Sequence, residues 1–242
     1  MPSPIAVPST VDFLPLIAAD GATPIAWMAR PQARGDSAVE PDRMDSMFLA
    51  TLAFVIRTAA ESGLISPQSP LLVTIPGDSS PHRALSQLFR VALANRLSPA
   101  LIRVAIDVGD GAAADRATAL AAACAARGIG IVLDRFAATP LALRLLARFT
   151  PCFILLDQGL VRAIDASESR RRMLDGVIRL ARAIDVPLVA TGIEHRAEQA
   201  ALAALGIRRF RLDRTAPLPR PPRRHPPFPF PPLPRQPAAA LH

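Results

Sequence analysis

The sequence predicts an α/β fold, a TIM-like (β/α)8 barrel followed by a disordered proline-rich tail. Short apolar runs rich in β-branched residues alternate with longer segments whose apolar residues recur every three or four positions, the pattern of successive βα units. Eight such runs fit within the 242 residues, and a closed eight-stranded barrel takes that count as one domain. With 50% hydrophobic and 20% charged residues, the chain as a whole can bury a large core.

Residues 1–11 are expected to be a flexible N-terminus, broken by Pro2, Pro4 and Pro8. No basic residue precedes an apolar stretch there, so a secretory signal is not expected and the default location is cytoplasmic. The first two strands, 12–18 and 24–29, are joined by Asp20-Gly21-Ala22-Thr23, too short for a crossover helix, and should form a hairpin. Further strands are expected at 71–75, 102–108, 129–133, 152–156, 187–190 and 209–212, with helices at 43–62, 82–96, 112–127, 140–147, 167–184 and 196–205.

In the helix at 167–184, Met173, Val177, Leu180 and Ile184 fall on one stripe, leaving Arg170, Arg171, Arg179 and Arg182 for solvent. Ser167 stands where an N-cap belongs, and Asp185 before Val186-Pro187 ends the helix. In the helix at 43–62, Met44, Met47, Phe48, Leu52, Val55 and Ile56 make one broad apolar face. Burial on the barrel wall is the favoured use of that face, and contact with a partner is the other. The barrel domain is expected to span 12–216. From Pro217 the chain reads PLPRPPRRHPPFPFPPLPRQPAAALH, an extended polyproline segment. That tail is either a flexible, soluble terminus or an arm whose arginines touch an acidic protein, a membrane surface or nucleic acid.

All 28 basic residues are arginine. Four of them, Arg220, Arg223, Arg224 and Arg235, lie in the acid-free tail, leaving 24 basic against 20 acidic residues elsewhere. That near balance argues against a nucleic-acid binder. The longest strongly apolar run, 47–56, is about half a membrane span, so no transmembrane helix is expected. Cys124 and Cys152 lack metal-ligand spacing and read as reduced core residues.

In such a barrel the C-terminal ends of the strands line the functional mouth. Those positions are Arg30, Thr74, Asp107, Asp134 with Arg135, Asp157, and Thr191 with Glu194. Converging carboxylates could hold Mg²⁺ or Mn²⁺, although a strand-end Asp more often caps the following helix or bonds loop amides.

The order of these motifs resembles the EAL-type cyclic di-GMP phosphodiesterases of bacterial signalling. Ile131-Val-Leu-Asp-Arg-Phe-Ala-Ala-Thr139 is similar to the family's strand ending in Asp-Asp-Phe-Gly-Thr-Gly. Phe153-Ile-Leu-Leu-Asp157 resembles its Lys-x-Asp strand, and Leu188-Val-Ala-Thr-Gly-Ile-Glu194 resembles Val-Val-Ala-Glu-Gly-Val-Glu, followed by Glu198-Gln199 and Leu205-Gly206 in the last helix and turn. Fainter matches are Phe13-Leu-Pro15, Ala26-Trp-Met-Ala-Arg30 at the Glu-Ala-Leu-x-Arg signature, and Leu71-Leu-Val-Thr74 at the strand that carries an Asn.

Carried over residue by residue, the resemblance implies that most functional positions are changed. Ala26 and Ala105 stand for Glu, Thr74 for Asn, Arg135 for Asp, Leu155 for the catalytic Lys and Thr191 for Glu. No lysine occurs anywhere, so no register shift restores one. Arg30, Asp134, Asp157, Gly192 and Glu194 match. The family's two-cation mechanism needs carboxylates that are absent here.

The resemblance therefore implies a catalytically inactive EAL-like domain acting in cyclic di-GMP signalling, as a protein-docking module or a non-hydrolysing nucleotide receptor. Docking is preferred because ligand-contacting positions are lost with the catalytic ones. The alternative is an active phosphodiesterase with an altered site, which alone would need Mg²⁺ or Mn²⁺. The vestigial ligand-binding set is Arg30, Asp134, Arg135, Asp157 and Glu194. A protein partner is expected, with cyclic di-GMP and a second copy of the chain as further candidates. Arg135 either grips a ligand phosphate or, as favoured, pairs with Asp134 or Asp157 and closes the mouth. Trp27 could stack on a guanine only if its ring faces the cavity, and His195 reads as a surface residue.

Overall fold

The structure, a computed structural model, describes residues 10–18, 23–32, 41–75, 80–109 and 113–211, with backbone only for 41–46. The hairpin turn at 19–22, Met44's side chain, Leu212 and the tail from Pro217 lie outside that description. The strands are β1 (Thr10–Ala18), β2 (Pro24–Gln32), β3 (Leu71–Thr74), β4 (Ile102–Asp107), β5 (Gly130–Phe136), β6 (Phe153–Leu156), β7 (Leu188–Val189) and β8 (Arg209–Arg211). Between them lie α1 (Pro41–Ser62), α2 (Pro81–Ala94), α3 (Ala114–Ala125), α4 (Pro140–Leu146), α5 (Gln158–Val161), α6 (Glu168–Ala183) and α7 (Arg196–Ala204). Strand β1 begins two residues before its expected start, Thr10 facing Gln32 and Val11 facing Pro31. The 3-10 turn at Pro99–Leu101 was not anticipated, being shorter than any periodicity signal.

The sheet runs in the order β7-β6-β5-β4-β3-β2-β1-β8. A parallel bridge between Ala190 and Phe210 joins its two ends. Ala190 N–H donates to the Arg209 carbonyl at 3.0 Å and Arg211 N–H to the Ala190 carbonyl at 2.9 Å, so the last two strands close the barrel. Strand β1 is antiparallel to both neighbours, which follows from the hairpin: β2 leads into β3 through a helix and must be parallel to it, so β1 runs the other way.

Alternation along the strands separates two apolar layers. Leu14, Leu16, Ala26, Met28, Leu72, Ala105, Val132, Leu155 and Val189 fill the lumen. Their neighbours in sequence, such as Phe13, Trp27, Leu71, Val104, Leu133 and Leu156, pack outward in the larger core shared with the helices. The face of α1 does bury Leu52, Val55 and Ile56, with Phe48 partly buried against that core.

Helix α6 is rotated from its expected setting. Leu174, Val177, Ile178 and Ala181 are buried, and Met173 is 61% exposed. The rotation has a cause at the first turn: Arg170 donates to the Arg162 carbonyl at 2.6 Å and Arg171 Nε to the Ile164 carbonyl at 2.8 Å. These two arginines hold the preceding loop instead of merely facing solvent. Ser167 is the N-cap, its hydroxyl accepting from Arg170 N–H at 3.4 Å. Among the described residues, no helix is long and apolar enough to cross a membrane.

Candidate functional site

Asp107 and Asp134 are register partners at the ends of β4 and β5. Pairing of β5 with β6 shifts between Leu133 and Phe136, and Arg135 in that irregularity has φ 55°. A left-handed residue costs a non-glycine of order 1–2 kcal/mol, which the surroundings must offset. The bulge turns Arg135 back across β4, where Nε donates to Asp107 Oδ1 at 2.9 Å and Nη2 to Asp107 Oδ2. Asp107 Oδ1 also accepts from Gly109 N–H at 2.9 Å. A side chain at Gly109 would stand 3.1 Å from the guanidinium carbon, so glycine leaves room for the pair. Arg135 thus closes onto a carboxylate of the mouth, with Asp107 as the partner in place of the expected Asp134 or Asp157. The left-handed φ decides this, because an extended Arg135 would point away from β4.

Asp134 Oδ1 accepts from Arg135 N–H at 2.9 Å. Burial pushes its carboxyl above the usual carboxylate range, against the pull of the Arg211 and Arg135 charges and the Arg135 N–H. Arg211, at the end of β8, donates to Met28 Sδ at 3.4 Å on the lumen side and lies close enough to Asp134 to favour its ionised form. This residue was missed from the sequence, although Phe210-Arg211 carries the signal: Phe210 must face the outer core, so Arg211 takes the lumen face.

Because the folded-state pKa of Asp134 lies above its ordinary value of 3.8, the folded chain binds the extra proton and stability falls as pH rises between those two pKa values. Asp134→Asn is therefore expected to melt higher than the parent at neutral pH, with the gap closing below pH 3.8. Thermal melts of both proteins across that range check this, and a lower melting temperature for Asp134→Asn at neutral pH would contradict it.

Asp157 Oδ1 accepts from Gly159 N–H at 2.7 Å and caps α5, the helix-capping use of a strand-end Asp. Its charge still reaches Arg135. Arg30 pairs with Asp12 across the hairpin at 3.6 Å, and Glu194 with Arg162 at 2.6 Å. Of the five candidates, Asp134, Arg135 and Asp157 come together, while Arg30 and Glu194 are engaged by their own partners. Trp27 is 3% exposed in the outer core, so it is not available to stack on a ligand in the mouth. His195 starts α7 and is exposed.

The remaining motif positions are spread over the lumen and the strand ends. Ala26, Ala105 and Leu155 line the lumen, Thr74 ends β3 exposed, and buried Thr191 donates to the Leu156 carbonyl at 2.7 Å. Gly192 has φ 70°, and a Cβ there would lie 2.8 Å from Gln158 Cβ, so this turn requires glycine. Behind the turn, Glu198 is 3% exposed and accepts from Ala163 N–H at 2.7 Å, Glu194 N–H at 2.9 Å and His195 N–H at 3.1 Å. Among the described residues, no three His, Cys, Asp or Glu side chains form a group that could hold a metal ion.

No curated protein matches the chain. Among solved structures it is similar to a standalone versatile EAL protein of Vibrio cholerae O395 in its c-di-GMP-bound form, at 21% identity and TM-score 0.70 over 84% of this chain and 88% of that one. It is also similar to the manganese/cyclic di-GMP complex of Klebsiella pneumoniae BlrP1 at pH 6, at 23% identity and TM-score 0.73, covering 87% of this chain and 57% of that one. A third likeness is to the Xanthomonas citri FimX EAL domain in complex with c-di-GMP, at 16% identity and TM-score 0.67 over 84% of each chain. These likenesses carry the barrel fold. The EAL domain profile matches residues 31–211, three-quarters of the sequence, and with the motif order along the barrel this places the chain in the EAL domain family.

Proposed function

We propose that this EAL-family barrel is catalytically inactive and works in bacterial cyclic di-GMP signalling by binding, as a regulatory module docked on a protein partner, with non-hydrolysing reception of the nucleotide as the second form of that role. The observation that carries the proposal is Arg135, whose guanidinium occupies both oxygens of Asp107 at the mouth. Two divalent cations in contact need several carboxylates to offset their repulsion. Here a fixed positive charge stands among Asp107, Asp134 and Asp157, and the lumen positions Ala26, Ala105 and Leu155 offer no donor. The residues present do not fit a metal pair. The vestigial ligand-contacting set is Arg30, Asp134, Arg135, Asp157 and Glu194, within a barrel domain of 12–216 and ahead of a proline-rich arm.

Calorimetric titration of the full chain with cyclic di-GMP, with and without Mg²⁺ or Mn²⁺, tests this when the recovered nucleotide is also analysed. Intact nucleotide under all conditions is expected, and absence of measurable binding would favour docking. Tight binding with intact nucleotide would make the protein a receptor. An Arg135→Ala variant would then lose affinity only if Arg135 leaves Asp107 to hold phosphate. The alternative, hydrolysis by an altered site, draws on the retained Asp134 and Asp157. Metal-dependent cleavage abolished in Asp134→Ala would establish it and end the inactive reading.

A further inference from the structure

The end of the barrel opposite the mouth carries a cleft of about 250 Å³ between the last turn of α6, the loop at 185–188 and the turn from α7 into β8. Its floor is apolar and buried, formed by Ile178, Ala181, Val186 and Ile207. Its rim holds Arg182, Arg208 and Arg209, with Asp185 as the one carboxylate.

The frame is set by two helix ends. Asp185 closes α6 at φ 53°, with Val186 N–H donating to the Ala181 carbonyl at 2.9 Å. Gly206 closes α7 at φ 91°, with Ile207 N–H donating to the Leu202 carbonyl at 3.0 Å. Arg182 lies over that second turn, its Nη2 2.7 Å from where a Cβ on Gly206 would stand. Glycine here serves both the positive φ and the seat of the arginine.

The electrostatic balance favours an anion. Each helix C-terminus contributes roughly half a negative charge, and Asp185 a full one. Three guanidinium groups leave about one net positive charge at the rim. Elsewhere Arg135, Arg162, Arg172 and Arg179 are engaged by carboxylates. Among the described residues, Arg182, Arg208 and Arg209 make no side-chain ion pair or hydrogen bond, so their donors are open to a ligand. A small inorganic anion would satisfy the rim and leave the apolar floor wet. A peptide that sets one apolar side chain on the floor and carboxylates against the rim satisfies both.

We propose that this cleft docks an acidic segment of a partner protein through one apolar anchor side chain. The inference rests on the binding role proposed above and names its partner chemistry. Because the cleft lies at the end opposite the mouth, docking there leaves the mouth free.

The test is fluorescence anisotropy of the full chain with a fluorescein-labelled peptide Glu-Glu-Leu-Phe-Glu-Glu, beside Lys-Lys-Leu-Phe-Lys-Lys and Glu-Glu-Gly-Gly-Glu-Glu. The arginines of the tail also attract carboxylates, so the deciding quantity is the ratio between the parent and the Arg182→Glu/Arg208→Glu variant. Saturable binding of the acidic Leu-Phe peptide is expected, weakened at least ~10-fold in the double variant and by loss of the anchor. If that variant melts at a lower temperature, single Arg208→Gln, at an exposed position, serves in its place with a smaller loss. Equal affinity in parent and variant, equal binding of the lysine peptide, or no saturable binding overturns the proposal. Loss in Arg135→Ala alone would move binding to the mouth, sinking the cleft and leaving the docking role. Cyclic di-GMP hydrolysis would sink the inactive reading without touching the cleft.

Discussion

Leu155→Lys should lower the melting temperature by roughly 10–20 °C and yield no hydrolysis, although it restores the residue type that the family resemblance expects there. Leu155 is 0% exposed, and its lumen neighbours are Leu14, Leu16, Ala26, Met28, Leu72, Ala105, Val132 and Val189. An ammonium in that layer lacks the two glutamates that the resemblance expects at Ala26 and Ala105, and the nearby Asp134 already faces the charges of Arg211 and Arg135. The ammonium's effective desolvation penalty is several kcal/mol, added to the lost leucine packing. The lysine would shed its proton more readily in the folded state than in the unfolded one, so the damage should shrink as pH rises toward the unfolded lysine pKa of about 10.4. Leu155→Met is the control, expected to cost less than about 1.5 kcal/mol. Thermal melts against pH decide the matter: an unchanged melting temperature, or cleavage of cyclic di-GMP, would show that the lumen is wetter or more acidic than described.

The second large effect is expected at Glu198. Its carboxylate ties the turn after β7 to the loop after α5 by accepting three backbone N–H groups, those of Ala163, Glu194 and His195. Glu198→Ala leaves those donors without their acceptor and should destabilise by about 3–5 kcal/mol. Burial alone would raise its carboxyl, but the three N–H donors, aided by His195, outweigh burial and hold it below the ordinary value of 4.5. The sign follows: with the folded pKa depressed, this stabilisation is complete above pH 4.5 and is lost as pH falls through the folded value. The melting gap between the parent and Glu198→Gln should therefore narrow in acid. A gap that stays constant with pH, or an Ala variant within 1 kcal/mol or so of the parent, would remove the acceptor role.

Element positions were legible because they depend on what lies next in sequence. Proline, glycine and capping residues end the elements, as Ser167 and Asp185 do for α6. The motif order was legible in the same way, and so was the total absence of lysine, which needs no coordinates. The rotation of α6 was less so: Met173 and Leu174 sit about 100° apart on a helix, and both stripes through Val177 are apolar. Burial of Leu174, Ile178 and Ala181, together with the hold of Arg170 and Arg171 on the preceding loop, goes with the Leu174 side.

The sequence by itself determined the barrel, its hairpin start, the strand-end positions and the residue types at them. Tertiary structure alone decided what those residues do. Arg135 meets Asp107, 28 positions away, because a positive φ reverses its side chain. Trp27 is lost to the outer core because Ala26 and Met28 take the lumen face of the same strand. Arg211 enters the lumen opposite Asp134, and Glu198 becomes a buried acceptor for two loops. The contacts of Arg135 with Asp107, of Glu198 with Ala163 and of Arg211 toward Asp134 join segments distant in the chain, so register and dihedral sign set them, and neither is written in local composition or periodicity.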